Sequence, residues 1–138
     1  MYMSKRAGGG RGATMQFNVR LPGALARDVR EFARRNRVTA TATVARFVEE
    51  GMRMSQFPGV DFRWTPSGRE PHVTGTGLSV WEMHMIWKDH RGRIEWIRKN
   101  YPHLKVEQIR AGVAYAEAHS GEAPPLPVIP PWVQVVRV

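Results

Sequence analysis

Residues 15–21, MQFNVRL, alternate apolar and polar side chains and are followed at once by Pro22. Period-two alternation is the pattern of a half-buried strand, with Met15, Phe17, Val19 and Leu21 on one face and Gln16, Asn18 and Arg20 on the other. Pro22 ends that strand. The chain then turns helical: Leu25, Val29, Phe32 and Ala33 recur at helical spacing, predicting a helix over about 23–35. The pattern stops at Asn36, a residue that tolerates the left-handed conformation after a helix. The Thr-rich stretch over 39–43 offers hydroxyl N-caps for a second helix whose apolar stripe is Val44, Phe47, Val48 and Met52. A lone short strand leaves both backbone edges unpaired, and two amphipathic helices alone bury their stripes on too little core. Residues 14–54 therefore require a second copy. Two antiparallel QFNVR segments would pair across a twofold axis, set Phe17 and Val19 over four helices, and leave Gln16, Asn18 and Arg20 facing outward.

Charge narrows the partner. The chain of 138 residues carries 21 Lys+Arg against 12 Asp+Glu. Most of the excess lies in residues 1–54, with 11 basic and 4 acidic side chains. Such a field attracts polyanions, whether DNA, RNA or an anionic membrane face. Cysteine is absent, which excludes disulfides, thiolate zinc sites and cysteine nucleophiles and fits a reducing cytoplasm. No apolar run approaches membrane-spanning length, and MYMSKRAGGGRGAT has no hydrophobic core for a signal peptide. The expectation is a soluble cytoplasmic protein with no membrane association. Residues 1–13, rich in Gly and carrying Lys5, Arg6 and Arg11, are expected to form a flexible basic arm.

The segment Gln16-Phe17-Asn18-Val19-Arg20-Leu21-Pro22 with its two helices resembles the ribbon-helix-helix family of DNA-binding repressors and antitoxins, the Arc and MetJ type. Thr43 and Phe47 depart from the charged residues of the Arc pattern. The resemblance implies a homodimer, possible higher oligomers on DNA, base reading by Gln16, Asn18 and Arg20, and a phosphate clamp at the start of the second helix near Thr39 and Thr41, with Arg37 assisting. The chemistry agrees independently. A two-stranded ribbon fits the major groove, where Gln or Asn pairs bidentately with adenine and Arg with guanine, each worth about 1–3 kcal/mol of discrimination. Free amides at a helix start bind anions. Arg27, Arg30, Arg34 and Arg35 read as a solvated helix face.

Phe57-Pro58-Gly59 breaks the chain, and DFRWTPSGREPHVTGT reads as two extended pieces around a Pro-Ser-Gly turn. Three short helices are then expected: about 79–89 with Val80, Met83, Ile86 and Trp87; one after Gly92 holding Ile94 and Ile97; and about 105–119 burying Ile109, Val113 and Ala116. Short helices with tight turns suggest a helix-turn-helix bundle over 55–120. Gly75-Thr76-Gly77-Leu78-Ser79-Val80, Tyr101-Pro102-His103-Leu104 and the run from Glu107 to Tyr115 resemble a small homeodomain-like family found in VapB-type antitoxins encoded beside PIN-like nuclease toxins. Gly77 stands where that family usually has a basic residue. If this bundle binds DNA, Lys105, Gln108 and Arg110 on its last helix are the candidates; dimer contacts or partner docking are equally open, because Glu107 and Glu117 share that helix. Trp64, Trp81, Trp87 and Trp96 read as core and rim packing.

Residues 121–138 form a Pro-rich extended tail in which Val133, Val135, Val136 and Val138 around Trp132 suit a strand. Packing on its own dimer and binding of a nuclease toxin are the alternatives, with Trp132, Val135 and Arg137 as partner-binding candidates. The five histidines are scattered, without zinc-ligand spacing, and read as lone surface residues. No metal, cofactor, small-molecule substrate or catalysis is expected. The fold class expected is mainly α with short β: a strand-helix-helix dimerisation unit, then a trihelical unit preceded by a β-hairpin. The function expected is a sequence-specific DNA-binding repressor of double-stranded DNA, the antitoxin of a type II toxin-antitoxin pair acting on a PIN-like nuclease. The alternatives are a stand-alone or plasmid-maintenance regulator and a nonspecific RNA-binding or scaffold protein.

Overall fold

The computed structural model describes residues 13–125. Helices α1 (Gly23–Asn36) and α2 (Ala40–Gln56) precede a hairpin of β1 (Val60–Thr65) and β2 (Gly68–Val73); α3 (Val80–Asp89), α4 (Ile94–Asn100), α5 (Val106–Ala118) and a 3-10 turn (Ser120–Glu122) come after it. The described residues are thus mainly helical with one two-stranded antiparallel sheet. They pack as two units that divide between Ala45 and Arg46, inside α2. This lies ahead of the 54/55 boundary read from the sequence. The reason is that the later turns of α2 are tied to the hairpin and to the 3-10 turn, Glu50 to Arg69 and Arg53 to Glu122.

In the first unit, α1 opens after Pro22, whose carbonyl accepts from the Ala26 amide at 2.9 Å. Its end differs from the expectation. Asn36 stays helical and its side-chain amide donates back to the Phe32 carbonyl. The left-handed residue is Arg37, at φ 55° and ψ 41°. Amides of Arg37 and Val38 then reach the Arg34 and Ala33 carbonyls, closing a Schellman-type cap. Just beyond, Thr39 accepts the Ala42 amide on its hydroxyl at 2.9 Å, starting α2 as the Thr-rich stretch predicts. Thr43 is buried and donates its hydroxyl to the Thr39 carbonyl. Residues 15–21 form no strand within the single chain.

In the second unit the hairpin pairs Val60 with Val73 through Thr65 with Gly68, turning at Pro66-Ser67. Its buried ends, Val60 and Val73, join Val80, Met83, Ile97, Leu104, Ile109, Val113, Tyr115 and Ala116 in one core. Helix α3 is started by a capping box: Ser79 accepts the Glu82 amide while Glu82 accepts the Ser79 amide. The three helices fall close to the ranges read from periodicity, and Ile109, Val113 and Ala116 are buried. Gly112 lets α5 press onto its neighbours: a Cβ there would sit 2.7 Å from Val73 Cγ2 and 2.8 Å from Met83 Cγ.

Candidate nucleic-acid interface

Gln16, Asn18 and Arg20 are all exposed, on a segment that runs directly into α1. The opposite face is exposed as well: Met15 is 90 %, Phe17 87 % and Val19 61 % accessible. Nothing among the described residues covers these apolar groups, although their alternation is that of a buried face. On the α2 stripe Val48 and Met52 are exposed too, and Phe47 is partly so.

Thr39, Thr41 and Arg37 lie together at the α1–α2 turn and are exposed. The Thr39 oxygen already accepts the Ala42 amide, which leaves its proton as the group it can offer. The first-turn amides of Ala40 and Thr41 have no preceding helical carbonyl to reach, so this end presents donors and a partial positive charge. The left-handed Arg37 sits beside them. On α1, Arg34 is hydrogen-bonded to Glu31, and Arg35 lies 3.6 Å from the same carboxylate. The Arg34 hydrogen bond, with the charges of Arg34 and Arg35, holds the Glu31 carboxyl below its ordinary range. These two arginines are partly neutralised along their own helix.

The second group of candidates is differently placed. Gln108 accepts the Lys105 amide at 2.9 Å and donates to the Thr74 carbonyl at 3.3 Å, so its side chain fastens the start of α5 to the loop after β2. Helix α5 is the central helix of its unit, with Ile109, Gly112, Val113, Tyr115 and Ala116 buried. Its exposed positions are Glu107, Arg110, Ala114, Glu117 and Ala118, a face with more carboxylates than cations. Lys105 and Arg110 are exposed, whereas Gln108 is half-buried. Arg110 lines an open groove of about 750 Å³ with Arg98 and Lys99 of α4, which sequence periodicity did not single out. Their common placement depends on the turn over 101–105, a tertiary feature.

A second crevice, about 440 Å³, holds charges that compensate one another. Arg69 meets Glu50 at 2.7 and 3.2 Å, with its guanidinium over the rings of Trp64 and Phe47 at 5.1 and 5.5 Å. Arg53 reaches both Glu122 oxygens at 2.6 and 2.8 Å, Glu49 at 2.7 Å and the Tyr115 hydroxyl at 2.7 Å. The Glu122 hydrogen bond raises the Arg53 pKa above its ordinary value against the opposing effect of burial. Burial raises that of Tyr115, outweighing its bond from Arg53. This is a clamp holding the end of α2 to the end of α5.

The histidines are not lone surface groups. His72, His84, His90 and His119 are half-buried, and only His103 is exposed. His90 donates from Nδ1 to the Ile86 carbonyl at 2.7 Å and its Nε2 lies 2.8 Å from the Asn100 amide, tying α3 to α4. His84 and His119 approach Glu117 and Glu122 at 3.7 and 3.8 Å. An imidazole has an apolar body and a polar edge, which suits helix ends at a rim. Trp81 and Trp87 pack on the core as expected, whereas Trp64 and Trp96 are exposed rings under Arg69 and Arg93.

Among the described residues no three His, Asp or Glu side chains cluster closely enough to hold a metal ion, and no helix is long and apolar enough to cross a membrane. Trp132, Val135 and Arg137, and the arm over 1–12, lie outside the described residues. No family model, no curated protein and no solved structure matches this chain.

Proposed function

We propose that this chain is a homodimeric, sequence-specific DNA-binding repressor of the ribbon-helix-helix type. The observation that carries the reading is the segment over 15–21. Its apolar side chains alternate with Gln16, Asn18 and Arg20; these three and Met15, Phe17 and Val19 stand exposed, with Leu21 half-buried. A second copy pairing antiparallel would cover the apolar set and leave an amide–amide–guanidinium face outward. Residues of those three types at two-residue spacing suit base edges in a major groove. Arg37, Thr39, Thr41 and the start of α2 would grip a backbone phosphate and fix register.

The test uses the full chain, a duplex spanning the DNA upstream of its own coding sequence, and a scrambled duplex of equal length. Preference for the first is the expected result. Replacing Gln16, Asn18 and Arg20 with Ala should erase that preference, at roughly tenfold or more for each base reader removed. Equal affinity for both duplexes by the unaltered chain, or equal affinity for any RNA, would sink the reading.

The antitoxin role rests on the resemblance of residues 75–115 to a domain of VapB-type antitoxins. It predicts that a PIN-like nuclease copurifies with the full chain and is lost when residues 121–138 are deleted. A repressor without a bound nuclease is the stand-alone alternative.

A further inference from the structure

We propose that the groove between α4 and α5 is a second DNA contact, one that holds backbone phosphate and reads no base. The inference deepens the DNA-binding reading and rests on it. Three cations, Arg98, Lys99 and Arg110, line this open space of about 750 Å³ against one carboxylate, Glu95. The Arg98 Nε–H donates to the Leu104 carbonyl at 3.1 Å, so its guanidinium is anchored at the groove. Lys99 and Arg110 are exposed, and no carboxylate among the described residues lies within ion-pair distance of either. This holds although Glu95 is four residues from Lys99 and Glu107 three from Arg110, spacings that commonly pair on a helix. Two uncompensated cations beside a fixed third favour a polyanion over a neutral or cationic partner.

The same geometry argues against base reading here. Along α5, Arg110 shares its exposed face with Glu107 and Glu117, so positive charge prevails only on the side of Arg110 toward Arg98 and Lys99. Gln108, the one side chain there suited to adenine, is occupied by the Lys105 amide and the Thr74 carbonyl. What remains is an arginine fork and two further positive charges, the groups that position a protein on a duplex without conveying sequence.

Binding of the full-length chain to the upstream duplex and to its scrambled counterpart, followed by fluorescence anisotropy across a salt series, tests this. The double variant K99A/R110A should weaken both complexes by a common factor and flatten the logarithmic salt slope by about 0.9 for each phosphate no longer neutralised. The ratio between the two duplexes should stay as it was. E95Q removes the groove's only carboxylate and should tighten both complexes, a gain that impaired folding cannot produce. Unchanged affinity and salt slope in K99A/R110A, or no gain in E95Q, would overturn the proposal. If the Gln16, Asn18 and Arg20 variant still loses its preference in that case, the groove assignment fails while the ribbon reading stands. A change in the duplex ratio in K99A/R110A would also overturn it, because the groove would then be reading sequence.

Discussion

At Arg53 one side chain meets two carboxylates and a phenol while only 13 % exposed. Hydrogen bonds to charged groups contribute about 1.5–3 kcal/mol, and removing one partner leaves the others desolvated. R53A should therefore lower unfolding stability by about 2–3 kcal/mol, and E122Q by less, read from urea titration. Nearby, the raised pKa of Tyr115 has a definite sign. The native state retains the phenolic proton where the unfolded state has lost it, so this contribution is intact below about pH 10 and declines as pH rises above it. The melting-temperature gap between the natural chain and Y115F should narrow above about pH 10; a constant gap would contradict it. Asp61 has the opposite sign. Burial by itself raises its pKa, but hydrogen bonds from Arg63 and Thr74, helped by the Arg63 and His72 charges, hold the carboxyl below its ordinary value. Its stabilisation is present above the ordinary carboxylate range and disappears as acid titrates it. None of these roles was legible in the sequence, where Arg53 is one of two arginines on its helix. Its partner Glu122 lies 69 positions away.

Elements were far more readable, and the reasons are local. Periodicity located α1, α3 and α5, Thr39 announced the start of α2, and Pro66-Ser67-Gly68 fixed the hairpin turn. Where local chemistry was ambiguous the reading slipped by one residue: Asn36 and Arg37 compete for the left-handed position, and Asn36 keeps its helical bond to Phe32 instead. A non-glycine residue there costs about 1–2 kcal/mol. R37G should raise the melting temperature while reducing DNA affinity, a split that separates its backbone strain from its proposed phosphate contact. At the α3–α5 contact the ordinary helix rule should fail. Alanine is favoured over glycine in a helix by about 1 kcal/mol, yet G112A forces a methyl to 2.7 Å from Val73 and 2.8 Å from Met83. Overpacking of about 1–3 kcal/mol should win, and calorimetry should show a lower melting temperature. Spacing alone gives no hint that two other elements close over position 112.

For the whole molecule, Met15, Phe17 and Val19 are apolar surface that the described residues leave exposed. Burying a Phe or Val side chain contributes about 1.5–3 kcal/mol, and a second copy can supply that cover on both chains at once. Sedimentation should give a dimer for the natural chain and a monomer for F17D/V19D, with DNA preference disappearing alongside dimerisation. A natural chain that sediments as a monomer would remove the basis for the ribbon. The alternation over 15–21 was legible in the sequence, and the exposure of Met15, Phe17 and Val19 is what the proposed second copy would cover. The α4–α5 groove was not legible, since Arg98, Lys99 and Arg110 come together only after Leu104 folds the two helices back on each other. The crowding around Gly112 also bears on how such a chain can diverge. Any atom gained at 112 must be matched by atoms given up at 73 or 83, so descendants are constrained to change these three sites in concert, and a lone replacement at 112 should be purged before its compensations arise.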